Sequence, residues 1–278
     1  MVAVSIEALV DAPCPRVGVT ITGLGVGDSV VSVWRSADGE REPVRGARRV
    51  TLVDSAYLID YDAPLGRPVS YEVEVISGPA GADRVTSSSV TVDATSGCLM
   101  DPLIPQSAIP VVGGDGNEGP YLRGEALASL EYAADVSLMT IMGSSKPLAL
   151  FGQRMAARGV PLSMGTTSAE QNKKLKDLLL SSALLLFRPV PGFGVDLPGS
   201  MFVTVPSAVE APVNVAWGGN LTWWDLKADT VAAPTLRVLT ATFTYGDVAL
   251  LFATYQQKQD AATGTYLDDL KNPLGYEP

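Results

Sequence analysis

Apolar and polar residues alternate in short runs from residue 17 to about residue 92. The runs are separated by Gly, Pro and Asp at intervals of roughly 8–14 residues, a pattern typical of an antiparallel β-sandwich. They read VGVTITGL, SVVSVWRS, RRVTLVD, AYLIDYDAP, VSYEVEVIS and VTSSSVTVD. In the fifth run every second side chain is predicted to face the core. These residues are Val69, Tyr71, Val73 and Val75.

The alternation stops near Thr95 and a proline-rich stretch follows, which predicts a domain boundary. We expect a sandwich domain over residues 1–96, a second β domain over 97–240 and a C-terminal arm over 241–278. Within the second domain the pattern predicts long loops at 104–122 and 188–200. It also predicts strands near 130–142, 146–152, 200–209 and 212–217, and it contains a further apolar run at 160–166.

One segment of the second domain has helical periodicity, over residues 168–182. Ser168 and Gln171 have the spacing of a capping box, in which the two side chains satisfy backbone N–H groups at a helix start. The stripe formed by Leu175, Leu178 and Leu179 is predicted to pack on a sheet.

Thr-Tyr pairs recur in the C-terminal arm at spacings of ten and eleven residues, which place Tyr245, Tyr255 and Tyr266. Such spacings are close to three helical turns, so these tyrosines are predicted to share one side of a helix and to anchor a neighbour. Coincidence within a helical or extended arm is the alternative.

The chain has 20 basic and 30 acidic residues and a formal charge of -10, which would repel phosphate backbones and anionic lipids. We therefore expect no specific nucleic acid partner. The basic cluster of Arg41, Arg45, Arg48 and Arg49 is interpreted as a solvated turn. We expect no secretory signal and no membrane insertion, because no basic region precedes an unbroken apolar stretch and no apolar run has spanning length.

The sequence contains no histidine, which excludes most hydrolase mechanisms and the commonest zinc ligand. Carboxylate pairs such as Asp60 with Asp62, or Asp268 with Asp269, have the chemistry of a glycosidase. Acids in turns explain both pairs more simply. We therefore expect no enzymatic activity and no cofactor.

The remaining candidates for a ligand-binding or reactive site are two glycine-rich segments and two cysteines. Residues 23–28 lack the Lys-Ser/Thr of a phosphate-binding loop and predict a turn between strands. Residues 113–119 lack the spaced acids of a calcium loop, so a mobile loop is favoured over a metal site. Cys14 and Cys98 are interpreted as buried reduced thiols, with a disulfide as the alternative.

The first domain resembles a fibronectin type III module. Three features carry the likeness: Trp34 on an early strand, the turn DAPLGRP at 62–68, and Tyr71 as an inward aromatic on the next strand. Sandwiches converge on this pattern without shared function. The resemblance implies an immunoglobulin-like or fibronectin III-like fold for about 80 residues.

The rest of the chain resembles actinobacteriophage minor tail proteins of the distal-tail kind. The segments that carry this likeness follow in order: GCLMDPLIP at 97–105, KPLALFGQR at 146–154, the helix and LLLFR at 184–188, TWWDL at 222–226, and the Thr-Tyr repeats. Cys98 departs from the family pattern, where an aromatic is commoner.

That resemblance implies a mainly β protein, with the N-terminal sandwich followed by a tail-tube or distal-tail β-sandwich, one packed helix and an arm. It implies a baseplate ring, with a hexamer expected and trimers nearer the tip. Its neighbours would be tail tube, tape measure, and hub or baseplate proteins. The protein would be assembled in the bacterial host cytoplasm and reside in the virion.

Two other functions fit parts of the sequence. In a receptor-binding or carbohydrate-binding adhesin, Trp217, Trp223 and Trp224 would stack on a host cell-surface glycan, although adjacent strand residues point to opposite sides. In a tail enzyme that degrades the cell envelope, a catalytic group would be required, and the lack of histidine disfavours it. In the assembly interpretation Trp223 and Trp224 join the three tyrosines at the interface.

Overall fold

The computed structural model describes residues 1–112, 119–142, 145–154, 156–192, 197–213, 216, 218–235, 248, 251–252 and 254–261. Over these ranges the chain is mainly β, with antiparallel sheets and short helical segments. The predicted mainly β class is therefore confirmed. No helix in the described ranges has both the length and the apolar character to cross a membrane.

The first region forms two facing sheets. Its strands are β1 Ala3–Leu9, β2 Arg16–Thr22, β3 Asp28–Ala37, β4 Glu40–Pro43, β5 Val50–Val53, β6 Ala56–Asp60, β7 Pro68–Ser77, β8 Asp83–Thr86 and β9 Val90–Thr91. One sheet has the order β1-β2-β6 and the other β4-β3-β7-β8, with β5 paired to β3 and β9 to β7.

The second region forms a large sheet, a separate hairpin and two helices. Its strands are β10 Gly97–Asp101, β11 Ile104–Val111, β12 Tyr121–Leu122, β13 Ala134–Met139, β14 Leu148–Arg154, β15 Val160–Pro161, β16 Met164–Thr166, β17 Leu184–Arg188, β18 Met201–Pro212 and β19 Thr222–Thr230. The helices are α1 Ala169–Ser181 and α2 Tyr255–Ala261. The large sheet has the order β11-β10-β17-β18-β19-β16-β12, and β15 also pairs with β19.

The sandwich predicted for the first region is confirmed by the inward face of β7. The four residues predicted to face the core are all buried, and they pack with residues of β2 and β3 in one hydrophobic cluster. The turn predicted at 23–28 separates β2 from β3. The sequence pattern predicts strands only from residue 17 onward, whereas the structure has the further strand β1 before that residue. The last predicted strand is divided in the structure into β8 and β9.

The predicted helix is confirmed as α1, with Ser168 as its N-cap. Ser168 Oγ accepts a hydrogen bond from the backbone N–H of Gln171 at 3.2 Å. Gln171 Oε1 accepts from the backbone N–H of Thr167, one residue before the cap, at 3.0 Å. Leu175 and Leu178 are buried in the second hydrophobic cluster, which lies between α1 and the large sheet.

Three strands of the large sheet separate the two hydrophobic clusters. On β10, Cys98 and Met100 belong to the first cluster while Leu99 belongs to the second. On β17, Leu186 likewise faces the first cluster and Phe187 the second. We call β10, β17 and β18 the shared wall. The first core thus extends across the predicted boundary at 96/97, because one face of the shared wall completes it.

One of the two predicted loops is wrong over part of its length. Residues 104–111 form β11, and its prolines are tolerated because β11 is the edge strand of the sheet. The other predicted loop, at 188–200, has no helix or strand in its described residues after Arg188, as predicted. It packs on the chain's own turn at 62–68, where Arg67 Nη2 donates to the backbone oxygen of Leu197 at 2.9 Å.

In the described residues of the strand predicted at 212–217, only Pro212 is in a strand, as the last residue of β18. The strand β19 begins at Thr222. Alternate residues of β19 are buried, including Trp224, Leu226 and Ala228. The segment that contains Trp223 and Trp224 therefore forms this strand of the sheet.

Buried arginines join the sandwich to the shared wall. Arg188 on β17 is fully buried; its Nε donates to the backbone oxygen of Ala63 at 3.0 Å and its Nη2 to that of Pro15 at 2.7 Å. Arg45 donates from Nη1 to the backbone oxygen of Pro102. Because a buried guanidinium must find acceptors, these bonds fix the two regions against each other.

The expectation that all four arginines of the basic cluster lie in a solvated turn is wrong for Arg45. The Arg45 side chain is 7% exposed, and its guanidinium pairs with both carboxylate oxygens of Asp62, at 2.7 and 2.8 Å. Arg41, in contrast, is exposed and lies over the Trp34 ring, 3.9 Å from its centre. Trp34 is on the outer face of β3, so it is not a core residue.

A second buried ion pair lies inside the sandwich. Both carboxylate oxygens of Asp60 accept from Arg35 Nη1, at 3.2 and 3.0 Å, and Asp60 Oδ2 also accepts from the Tyr71 hydroxyl at 2.8 Å. Burial alone would raise the pKa of Asp60, but the charge of Arg35 and these hydrogen bonds hold it below its usual value. Burial and the Asp60 charge raise the pKa of Tyr71, so this phenol stays neutral.

Replacing Asp60 by Asn is expected to destabilise the fold by about 3–5 kcal/mol, because Arg35 is left without its buried counter-charge. Since the folded-state pKa of Asp60 is lowered, its contribution is present above the unfolded value of about 4 and is lost as the pH falls below it. Urea unfolding at pH 7 and at acidic pH measures both effects. The deficit of Asp60→Asn should be largest at neutral pH and should shrink in acid.

The matched control is Lys174→Gln, which breaks an exposed i,i+4 pair with Glu170 on α1. That change should cost at most about 0.5 kcal/mol. A loss for Asp60→Asn as small as that of the control would show that the buried pair does not hold the sandwich together.

Candidate assembly surface

The hairpin formed by β13 and β14 is the most exposed apolar element of the described chain. Every residue of both strands is exposed. Among the described strands, neither β13 nor β14 pairs with any strand other than its hairpin partner. Within the described strands both outer edges therefore present unpaired backbone N–H and C=O groups.

Both faces of this hairpin carry apolar side chains. The register pairs Val136 with Phe151 and Leu138 with Ala149, which places these four residues on one face. Pairing of Met139 with Leu148, and of Ser137 with Leu150, defines the other face. Phe151 is 80% exposed and Leu138 is 66% exposed. A two-stranded hairpin that exposes such residues on both sides gains little from folding alone.

The base of the hairpin is held by two contacts with its flanking segments. Arg154 Nη1 donates to the backbone oxygen of Tyr132 at 2.9 Å. The backbone N–H of Arg158 donates to the oxygen of Glu131 at 2.9 Å. These bonds fix where the hairpin leaves the domain, so it projects from a defined point.

Sequence reasoning predicted strands near 130–142 and 146–152 but did not place them at an interface. The available signal was the segment 146–151, in which no strict alternation of apolar and polar residues occurs after Pro147. A run without alternation is usually interpreted as a strand buried on both faces. Here both faces are apolar and neither is covered within the described chain.

The prediction that Trp224 lies at an interface is wrong, because its side chain is buried inside its own domain. Its side chain is 4% exposed, and its indole Nε1–H donates to Asn172 Oδ1 at 2.7 Å. Asn172 in turn donates to Glu210 Oε1 at 2.9 Å, linking α1 to both β18 and β19. The Lys176 ammonium, and then the Asn172 amide, lower the pKa of Glu210. Trp224 therefore anchors the helix to the sheet.

Trp223 lies on the opposite side of β19 and is 37% exposed. The Arg123 guanidinium lies 4.3 Å from the centre of its ring, and Arg123 Nη1 also pairs with Asp225 at 3.2 Å. Trp223 and Trp224 thus point to opposite faces, as expected for adjacent strand residues. They do not form a joint stacking platform for a sugar, and Trp217 lies outside the described residues.

The tyrosines of the arm are only partly described. Tyr255 begins α2 and is 83% exposed. Tyr245 and Tyr266 lie outside the described residues, so their predicted place at an interface stays a prediction. The same holds for Asp268 and Asp269, and for the calcium alternative over residues 113–118.

In the candidate catalytic pair, Asp60 and Asp62, each carboxylate forms an ion pair with an arginine. Each carboxylate forms two contacts with one guanidinium, from Arg35 and Arg45 respectively. Asp60 ends β6, Asp62 lies in the bend that follows, and both are buried. Burial opposes it, but the charge of Arg35 holds the pKa of Asp60 below its usual value, so Asp60 is a poor general acid at neutral pH. The described residues also contain no group of three or more His, Cys, Asp or Glu placed to hold a metal ion.

Comparisons of this chain with protein-family models, with curated proteins and with solved structures find no match.

Substitution of the two tryptophans by alanine should separate their roles. Trp224→Ala is expected to destabilise the protein by about 3–5 kcal/mol, because it removes a buried ring and the indole N–H that donates to Asn172 Oδ1. Trp223→Ala should cost about 1 kcal/mol or less, since it loses mainly the contact with Arg123. Urea unfolding of the two variants measures the difference, and equal losses would contradict the burial assigned to Trp224.

Proposed function

We propose that this protein is a structural subunit of a bacteriophage tail, a minor tail protein of the distal tail or baseplate. It assembles with copies of itself in a ring and joins the tail tube to the tip. The observation that carries the proposal is the β13–β14 hairpin, with open edges and apolar residues on both faces. A ring subunit needs surfaces that pair with its neighbours rather than a catalytic pocket.

The occupant proposed for the hairpin is the hairpin of the next copy. Every copy has one free edge on β13 and one on β14, so the β13 edge of one subunit can pair with the β14 edge of another. Such a contact joins two different surfaces and repeats from copy to copy. It closes into a ring when the rotation per subunit permits closure. A hexamer is the expected order, from the resemblance alone.

The charge distribution favours contact between copies at this element. The chain has a formal charge of -10, so whole subunits repel one another at long range. The hairpin strands contain one acid, Asp135, and one base, Arg154, and carry no formal net charge. Copies therefore meet with the least repulsion where the apolar side chains are exposed.

The segments that resemble actinobacteriophage minor tail proteins support the tail assignment. KPLALFGQR includes all of β14, GCLMDPLIP covers β10 and the start of β11, and LLLFR is β17. The likeness thus involves the hairpin and two strands of the shared wall. It is this ordered likeness, rather than the fold class, that favours a tail over other assemblies.

Native mass measurement by size exclusion with light scattering tests the proposal. The unmodified protein should form a closed oligomer of defined number, visible as rings by electron microscopy. The double variant Leu138→Asp with Phe151→Asp should weaken association by about 100-fold or more, because each change places a charge in a desolvated contact. Both side chains are exposed, so far-UV circular dichroism should be unchanged.

The matched control is Leu180→Asp, on the exposed face of α1 at 77% exposure. This variant should assemble like the unmodified protein. An unmodified chain that stays monomeric at all concentrations would overturn the proposal. So would open aggregates without ring closure, or an equal effect of the control.

A further inference from the structure

Two cysteines that are far apart in sequence meet at the junction of the sandwich and the shared wall. Cys14 lies between β1 and β2, and Cys98 lies on β10. Each side chain is buried and neither forms a disulfide bond. Each thiol is the strongest influence on the pKa of the other. Because the sequence contains no other cysteine, any thiol chemistry of this chain belongs to this pair.

The fold positions Cys14 over one face of β10. Cys98 and Met100 are two residues apart on this strand, so their side chains share that face. The Cys14 thiol also contacts the Met100 sulfur at 3.8 Å. Cys14 thus lies above the strand, in contact with both sulfur-containing side chains.

Arg16 fixes the segment that carries Cys14. Its Nη1 donates to the backbone oxygens of Asp11 and Ala12, both at 3.0 Å, and of Cys14 at 3.1 Å. Three bonds from one buried guanidinium nitrogen hold this segment against the sandwich. The position of the Cys14 thiol is therefore set by the backbone.

Arg188 supplies a positive charge beside the two sulfurs. It is the cross-strand neighbour of Cys98 in the β10–β17 register. Its Nε and Nη2 are bound to backbone oxygens, whereas Nη1 has no hydrogen-bond partner in the described part of the chain. A buried unpaired donor beside a thiol favours a negative charge on sulfur.

The two thiols are electrostatically unequal. The neighbouring Cys98 thiol lowers the pKa of Cys14 to about 7 against the effect of burial, and the charges of Arg188 and Arg16 add to this lowering. The Cys14 thiol, together with burial, raises the pKa of Cys98 well above its usual value. Cys14 is therefore the more readily ionised thiol of the pair.

A cavity of about 570 Å³ opens beside the pair and is lined by both Cys14 and Cys98. Its volume lies within the range of small-molecule sites. Its other lining residues come mainly from two segments, 10–15 and 93–98. The cavity thus offers a small disulfide a route toward the pair without separation of the sandwich from the shared wall.

We propose that Cys14 and Cys98 form a redox-active dithiol whose substrates are low-molecular-weight disulfides. The Cys14 thiolate attacks one sulfur of the small disulfide, so that a mixed disulfide forms and one small thiolate leaves. Cys98 then loses its proton to the medium, and its sulfur attacks the Cys14 sulfur and releases the second small thiolate. The protein loses two electrons and two protons, and the small disulfide becomes two thiols.

The bond formed in this way joins the segment after β1 to the shared wall. It would add a covalent link where the junction is otherwise held by hydrogen bonds and packing. This inference does not depend on the proposed tail function, because it rests on the contacts of the two thiols alone.

Incubation of the folded protein with oxidised glutathione, followed by intact mass measurement, tests the proposal. The unmodified chain should lose two hydrogen atoms and gain no adduct, and peptide mapping should find Cys14 joined to Cys98. Cys98→Ser should accumulate one glutathione on Cys14. Cys14→Ser should react at least about tenfold more slowly, since burial still raises the pKa of the remaining Cys98 thiol.

The pH dependence of adduct formation in Cys98→Ser reports the attacking group. The rate should rise with pH as the Cys14 thiolate forms. The groups that face this thiol are Arg188 and Arg16, with Asp11 and Asp93 on the cavity wall. The double serine variant is the blank, and circular dichroism verifies that each variant is folded.

Absence of the internal disulfide in the unmodified folded chain would overturn the proposal, and this arm requires no substitution. An equal adduct rate in Cys14→Ser and Cys98→Ser would overturn the assignment of Cys14 as the attacking thiolate. Rates that follow global unfolding in low urea would show that the cavity gives no access, which also contradicts it.

Discussion

Buried guanidinium groups need acceptors, and this requirement organises the junction on which the rest of the fold depends. Arg188 can lie in the core only because the segments at 15 and 63 offer backbone oxygens to it. Arg35 and Arg45 each face a buried carboxylate. Breaking one partner of a buried ion pair is costly, so these two pairs stabilise the sandwich. The bonds of Arg188, and the bond from Arg45 to the backbone oxygen of Pro102, hold the sandwich against the large sheet.

The shared wall is the structural consequence of that arrangement. Each of its strands presents alternate side chains to two cores, which is why residues 97–101 are buried throughout. The β13–β14 hairpin, in contrast, leaves the wall and exposes apolar residues on both of its faces. Its base is fixed by Arg154 and the backbone of Arg158. Assembly through the hairpin would thus leave the two cores unchanged.

The local patterns that could be predicted from the sequence are those with a clear period. The inward face of β7 and the cap of α1 follow from spacing alone, and the structure confirms both. Contacts between distant segments could not be predicted. Nothing local in the sequence pairs Asp62 with Arg45, or brings Cys14 to Cys98. The prolines of β11 suggested a loop because edge position, which makes them tolerable, is a property of the whole sheet.

The candidate site shows the same division between local and tertiary information. Adjacent tryptophans must point to opposite faces of a strand, so the sequence indicated that one of the pair is core. It could not indicate which, since that depends on where α1 packs and offers Asn172. The sequence also could not predict that the hairpin is exposed. An apolar strand has the same sequence pattern whether it packs against its own chain or against another copy.

Amide hydrogen exchange of the hairpin tests most directly whether copies of this chain bury it against one another. Exchange should be compared at protein concentrations above and below assembly. In the assembled protein, amides of 134–139 and 148–154 should exchange at least about 100-fold more slowly than in dissociated subunits, while the shared wall stays equally protected. Equal, rapid exchange of the hairpin at both concentrations would contradict the account.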